Sequence, residues 1–451
     1  MKQQNRRTFL KSTALTTGAL ALPTFSITRS GLAAHHKVNV AVVGAGGMGR
    51  YAVKVGATEN LVALCDVDDV RAAQAFKENP KVRRFKDFRV MLDKMWKEIN
   101  AVAISTPDHT HFAAAMDAME RGKHVFVQKP LAHNIWQLRT LRKAAKHYNV
   151  ITQMGNQGHT FDGMRRIKEW VGAGVIGDVR EVITWTNRPN APWFVPPASF
   201  PPATSKPPKT LDWDLWQGPV AEREYSAEYV PTKWRGWWDY GCGALGDIGC
   251  HTFDAPFAVL DLGSPTKVEV VRQRPPGEGF IPMGAVVTYH FPARGQKPPV
   301  TLKWYEAGFD VPKPRRWDPA DELPSDGGMY MEGTKETLYH EGMRPTEPVL
   351  TPSARFAERK AELDRIERLP EVGGGPIEEW LQAIKGDGPM PLSNFDYAVP
   401  LTQMVLLGAI VERTGRTIEW DPENMRIKGQ PDLDPLINEP VRDGWQYGVT
   451  L

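Results

Sequence analysis

The sequence predicts an α/β protein. Its N-terminal part reads as a parallel, doubly wound sheet, and its C-terminal part as an α+β unit on an open, mainly antiparallel sheet. Three observations carry this expectation. The apolar run Val38–Val43 breaks into the glycine cluster Gly44-Ala-Gly46-Gly47-Met48-Gly49, and helix-forming sequence follows. Apolar runs then alternate with amphipathic stretches as far as Gln153. Beyond Val179, strand-like segments follow one another with few helices between them. Continuous apolar strands separated by helices need a sheet covered on both faces, whereas strands in succession favour antiparallel neighbours.

The first strand and its glycines set the chemistry. A strand that turns through Gly-x-Gly-x-x-Gly into a helix is the context of a dinucleotide fingerprint. Gly44 permits the tight turn, Gly46 lets backbone approach a pyrophosphate, and Gly49 lets helix and strand pack closely. Gly47 and Met48 complete that loop. The helix N-terminus presents free N–H groups to the phosphates. The second strand, Leu61–Cys65, ends at Asp66, 22 residues past Gly44, where a ribose is expected. Asp66 favours NAD over NADP, because a carboxylate repels a 2′-phosphate. Arg71, close by in sequence, leaves NADP possible.

Further strands are expected at Ala101–Ile104, His124–Val127 and Val150–Gln153, with helices at Asp108–Arg121 and Asn134–Tyr148. In such sheets ligands bind beyond the carboxyl ends of the strands. Three strand ends carry polar residues: Ser105-Thr106-Pro107-Asp108-His109-Thr110-His111, then Gln128-Lys129-Pro130, then Gly155-Asn156-Gln157-Gly158-His159. Turn chemistry and helix capping explain Asp108 and Asn156 as well as ligand binding does. Lys129 at a strand end before a proline is better placed to reach a ligand than to snorkel.

The second unit starts with a helix at Phe161–Gly172 and a strand at Val179–Asn187 that alternates with period two. Strands are expected at Lys267–Arg272, Ala285–Phe291, Val300–Tyr305 and Met329–His340. Such a long sheet needs one face covered, and another subunit is one candidate. Between the first two strands lies an excursion, 189–240. Eight prolines in 189–208 make it extended and irregular. Trp213, Trp216, Trp234, Trp237 and Trp238 then pack it onto the body, with one or two free to face a sugar ring.

The excursion runs into a helical segment with Asp247, His251 and Asp254, at spacings of four and three, on one helix face. A carboxylate that orients an imidazole is what a general base needs. A capped helix with a buried histidine, or a pair of metal ligands, also fits the spacing. With one histidine among them the metal alternative is the weakest, and no metal is expected. Residues 306–328 and 342–376 read as loops, Arg355–Arg368 as a surface helix, and Ile377–Lys385 as a helix. Tyr397–Thr414 reads as an apolar helix returning to the first domain, before a polar tail at 422–451.

The totals agree. A chain of 451 residues is too long for one core. Domains are expected at 36–160 and 161–421. With 41% apolar and 24% charged residues the composition is globular. The net charge of +3 comes from residues 1–34, which hold five basic residues and no acid. The other 51 basic and 53 acidic residues indicate no nucleic acid or anionic membrane as partner. Cys65, Cys242 and Cys250 form no disulfide framework. Asn5-Arg6-Arg7-Thr8-Phe9-Leu10-Lys11, a mild apolar run from Ser12 to Leu22, and small residues at Ala33-Ala34 resemble a twin-arginine export signal. That predicts export, for example to the periplasm, without a stable membrane anchor, because the run is too short and polar to span a bilayer.

Taken together, the motifs resemble the glucose–fructose oxidoreductase / inositol dehydrogenase (Gfo/Idh/MocA) family from Val38 to about Asp421. The fingerprint, Thr106-Pro107-x-x-x-His111, Gln128-Lys129-Pro130 and Asp247-x-Gly249-x-His251 carry the match. The resemblance implies an N-terminal Rossmann domain, a second α/β domain on an open sheet, and a dimer or tetramer. It assigns Gly44, Gly46, Gly47, Met48, Gly49, Asp66, Thr106, Pro107, His109, His111, Gln128, Lys129, Asn156 and Gln157 to NAD(P). It implies that Lys129, Asp247 and His251 meet at the nicotinamide as catalytic residues. His251 would take the hydroxyl proton, Lys129 would polarise the oxygen, and Asp247 would hold the substrate or the imidazole. Gln128 departs from the family's usual Glu and removes a charge beside Lys129. The implied substrate is a sugar, glycoside or cyclitol with a secondary hydroxyl. Cofactor is expected to be tightly held and exported with the protein. Two rival readings are a redox-assisted NAD-dependent glycosidase and a non-catalytic sugar or nucleotide sensor.

Overall fold

The computed structural model describes residues 37–318, 321–371 and 373–451, and the signal-like segment 1–34 lies outside them. The first sheet contains β1 (Asn39–Val43), β2 (Asn60–Cys65), β3 (Arg83–Phe85), β4 (Ala101–Ile104), β5 (His124–Val127) and β6 (Thr152–Met154). The strands are parallel in the order β3-β2-β1-β4-β5-β6. β4 is buried along its whole length, as a central strand covered on both faces should be. β3 is short, polar and at the edge, so no apolar run announces it. The order reverses at β1, and the loops after β1, β4, β5 and β6 share one end of the sheet. Every polar strand end named above therefore faces the same region.

The second sheet contains β7 (Val179–Thr186), β8 (Lys267–Arg272), β9 (Ala285–Phe291), β10 (Val300–Glu306), β11 (Gly327–Gly333), β12 (Thr337–Glu341), β13 (Val349–Thr351), β14 (Ile418–Asp421) and β15 (Arg426–Ile427). Among the described residues its order is β13-β12-β11-β7-β10-β9-β8-β14-β15. The β7–β10 pair is parallel and the others are antiparallel. Burial alternates residue by residue along β9 and β10, so one face is core and the other is half-exposed. Toward β11 that second face is covered from within the chain. Ile183, Trp185 and Tyr330 pack with Val311 and Leu323 of the adjoining loop, and Trp185 Nε1 donates to Pro324 O (2.7 Å).

The expected single strand Met329–His340 is instead the hairpin β11–β12. Its turn is closed by Gly333 N–H to Glu336 O (3.0 Å). A Cβ on Gly333 would fall 1.9 Å from Ile176 O, so glycine is needed where the hairpin meets the preceding chain. The 422–451 segment is also no free tail. Trp445 is buried against Phe88 and Arg89 of the first domain, and Glu439 pairs with His133 and Arg413.

The helix Phe395–Thr414 holds the domains together. Asn394 caps it by accepting from Asp396 N–H (2.9 Å), and Gly415 ends it in the left-handed region. It is apolar around most of its circumference, which suits a core helix. It packs on the helix Ile135–His147 and β6 on one side, and on the helix Gly243–Thr252 and β8 on the other. The excursion folds as a second small core. Trp216, Trp234, Trp237 and Trp238 are buried with Tyr225, Tyr229 and Tyr240. Trp213 stacks on Trp216 at 5.0 Å. Asp69 N–H to Thr210 O (3.0 Å) and Asp212 N–H to Val67 O (2.9 Å) tie this core to the loop after β2.

Beneath the second sheet, Glu306 and Glu412 are buried together. Burial pushes the Glu306 carboxyl up to about 8, and burial beside Glu306 raises Glu412 as well. The folded Glu306 holds its proton more tightly than an unfolded glutamate, whose ordinary value is 4.5. Stability is therefore lost as pH rises from 4.5 toward 8. Glu306→Gln should flatten that fall, so thermal melting of the variant should gain on wild type between pH 5 and pH 8. Parallel melting profiles for the two proteins would contradict the assignment.

Candidate active site

The loops at the carboxyl end of the first sheet, the excursion and the helix Gly243–Thr252 enclose a cavity of about 590 Å³. That is within the range of small-molecule sites. Gly44, Gly46, Gly47, Met48, Asp66, Thr106, Pro107, Gln128, Lys129, Gln157, Asp247 and His251 all line it.

One end is built from the glycine turn. Gly44 has φ +80° and donates to Cys65 O (2.8 Å). A Cβ there would fall 2.7 Å from the Ser105 carbonyl, and one on Gly49 would fall 1.7 Å from Gly44 O. Gly49 thus packs helix against turn and does not line the cavity. Asp66 Oδ2 accepts from Gly46 N–H (3.0 Å) and Oδ1 from Asp68 N–H (3.0 Å). Burial raises its carboxyl above the usual range, and those backbone donors oppose the rise. The hydroxyls of Ser105 and Thr106 are buried without a protein partner on the same wall. Backbone kept bare by glycine, a ribose-placed carboxylate and two unspent hydroxyls fit a dinucleotide.

The other end gathers charge. Lys129 Nζ donates to Asp247 Oδ1 (2.8 Å) and to Asp247 O (2.5 Å), joining the two domains. Arg235 Nε lies 3.6 Å from Asp247 Oδ1, and Arg188 Nε lies 3.9 Å from Oδ2. Burial opposes ionisation of Asp247, but Lys129, Arg235 and Arg188 outweigh it and hold the carboxyl well below its usual range. His251 Nδ1–H donates to Asn156 Oδ1 (3.1 Å). That leaves the Nε2 lone pair facing the cavity, with Arg344 Nη2 at 3.5 Å. Burial, helped by Lys129 and Arg344, keeps the imidazole neutral by holding its pKa well below 6.5. A neutral imidazole with a fixed tautomer beside an ammonium can take a proton from an alcohol while the ammonium holds the oxygen.

Five expectations need correction. Asn156, assigned to NAD(P), is buried outside the cavity lining, behind His251. Asp247 does not orient His251; Asn156 does, because the side chain of Asp247 turns to the cations. Asp254 leaves the site altogether, bonding His159 Nδ1 (2.9 Å) and the Tyr397 hydroxyl, since the helix breaks after Thr252. His109 lies outside the cavity lining. Its ring nitrogens face Trp216 O (2.8 Å) and Tyr240 O (3.2 Å), and burial lowers it to about 3. His111 is likewise behind the wall, facing Thr106 O (2.9 Å) and Pro130 O (2.8 Å). It couples the loop after β4 to the loop carrying Lys129. The sequence reading missed Arg188, Arg235 and Arg344, and it did not single out Trp193, Trp216 and Trp234 as the cavity's tryptophans. They come from the turn after β7, the excursion and the loop after β12, where no periodicity marks them.

Known proteins identify the family. The "Oxidoreductase family, NAD-binding Rossmann fold" model matches residues 38–156, and the "Oxidoreductase family, C-terminal alpha/beta domain" model matches residues 164–279. Levoglucosan dehydrogenase of Pseudarthrobacter phenanthrenivorans is 27% identical over 234 residues, covering 48% of this chain and 50% of that protein. The NAD(+)-dependent scyllo-inositol 2-dehydrogenase of Bacillus subtilis is 32% identical over 147 residues, covering 32% of this chain and 42% of that protein. The chain thus matches half or less of the length of these curated relatives. The WlbA dehydrogenase of Bordetella pertussis, solved with NADH and UDP-GlcNAcA, shares the fold with a TM-score of 0.59 at 16% identity, over 86% of this chain and 99% of that one. Levoglucosan dehydrogenase solved with NADH has a TM-score of 0.56 at 17% identity, over 85% of this chain and 98% of that one. With the glycine turn, the two-sheet fold and both family models in agreement, the chain belongs to the NAD-binding Gfo/Idh/MocA oxidoreductase family.

Proposed function

We propose that this protein is an exported NAD-dependent oxidoreductase that oxidises a secondary hydroxyl of a sugar, glycoside or cyclitol. The observation that carries the reading is Lys129 Nζ, 2.8 Å from Asp247 Oδ1, in one cavity with the cavity-facing Nε2 of His251, 3.5 Å from Arg344 Nη2, and the glycine turn. NAD, when bound, supplies the hydride acceptor. Gly44, Gly46, Asp66, Ser105 and Thr106 are the residues that would hold it. Lys129 uses two of its donors on Asp247 and has a third for the substrate oxygen. His251 Nε2 takes the hydroxyl proton as the carbinol C–H bond breaks and the carbon becomes a carbonyl. Asp247 keeps Lys129 aimed and balances its charge. Asn156 holds the imidazole in the tautomer that accepts the proton.

Residues 1–34 support export, and export supports a tightly held cofactor, because free nicotinamide nucleotide is scarce outside the cytoplasm. Protein isolated from a periplasmic fraction should release NAD on denaturation. With aryl glycosides it should give a keto-sugar, seen by mass spectrometry. Nucleotide-free protein that takes up no added NAD would contradict the reading. Release of aglycone with no net NADH would move it to the glycosidase class.

The positioning role of Asn156 is separately testable. Asn156→Ala should lower kcat about 10- to 100-fold, less than the roughly 10²- to 10⁴-fold that general-base catalysis itself contributes because the imidazole remains, while bound NAD is retained. Added to His251→Ala, it should cost nothing further. Independent, multiplying losses would mean that Asn156 does not act through the imidazole.

A further inference from the structure

Resting on that reading, the charges around the reacting end point to a substrate class. Lys129, Arg188, Arg235 and Arg344 all line this end of the cavity. Asp247 and Asp108 are the carboxyls among the described lining residues here. Asp247 is engaged with Lys129. Asp108 accepts from Cys242 N–H (3.3 Å) and is fully buried, which raises its carboxyl toward the neutral form. The arginines are poorly satisfied. Arg188 and Arg235 stand 3.9 and 3.6 Å from Asp247, beyond good hydrogen bonds. Beyond that, Arg188 has a 3.8 Å contact to Met343 Sδ and Arg235 donates to Thr232 O (3.3 Å). Arg344 Nη2 donates to Gln157 Oε1 (3.2 Å) and lies 3.5 Å from His251 Nε2, and its Nε is buried with no partner.

Three half-buried guanidiniums with donors to spare, beside one committed carboxylate, leave this end of the cavity with an excess of positive charge that an anion would complete. The cofactor's own diphosphate belongs at the glycine turn, at the opposite end of the cavity. Arg188 lies over Trp193 (5.4 Å) and Arg235 over Trp234 (4.3 Å), which fixes both side chains. Planar, fixed guanidiniums suit bidentate oxyanions. We propose that the substrate is an anionic sugar, carrying a carboxylate or phosphoryl group that Arg344, Arg188 and Arg235 bind beside the oxidised hydroxyl.

The test is calorimetric titration of NAD-loaded protein with methyl glycosides of glucose, galactose and mannose, their uronides and their 6-phosphates. At least one anionic member should bind about tenfold or more tightly than its neutral parent, the scale of hydrogen bonds to a charged group. Whether uronide or phosphate wins identifies the anion. In Arg344→Gln that preference should collapse, and in Arg344→Lys it should partly return. Equal binding of neutral and anionic members, or no binding by any, overturns the inference. So does loss of NAD from Arg344→Gln, because the arginine then serves the cofactor. Reduction of bound NAD at 340 nm, read in parallel, tests the oxidoreductase reading separately: tight anion binding without reduction would contradict that reading and keep this one.

Discussion

The ion pair between Lys129 and Asp247 is the constraint on which the site depends. It spans the two domains, at 2.8 Å and largely out of solvent. A buried ion pair is weak support for stability, since desolvating both charges offsets most of their attraction. Its value here is positional. It brings the end of β5 against the helix Gly243–Thr252, so that an ammonium from one lobe and an imidazole from the other share one cavity. His111 braces the strand-end loops from behind. The helix Phe395–Thr414 clamps both lobes from below. The tryptophan-rich excursion closes the cavity from above, tied to the loop after β2.

Much of this was legible in the chain. The parallel sheet, the glycine turn and Asp66 were readable because they follow from local pattern and spacing. Lys129 stood out because a cation at a strand end has few structural uses. Asp247 and His251 were readable as neighbours on one helix face. What each side chain binds was not, because helical spacing gives a face and not a partner. Asp247 meets three cations from distant segments, which leaves Asn156 to the histidine and His159 to Asp254.

The misses share a physical origin. Arg188 and Arg235 sit in single 3-10 turns and Arg344 in a loop, all too short for a period to distinguish a site residue from a solvated one. β3 is a polar edge strand with no apolar run. The β11–β12 hairpin turns through Gly333, whose need for a bare backbone arises from Ile176, far away in sequence. His109 and His111 looked like ligand residues because they lie beside Thr106 and Pro107. Their rings face backbone carbonyls behind the wall, away from the cavity. These features depend on tertiary contacts, which pattern alone does not carry.

A crystal structure of the NAD-loaded protein with a non-reducing or slowly oxidised glycoside bound tests the central claim most directly. Lys129 Nζ and His251 Nε2 should both lie within hydrogen-bond distance of the same secondary hydroxyl oxygen, with its carbon facing the nicotinamide. A glycoside whose hydroxyl meets neither group, or meets them at different carbons, would contradict it.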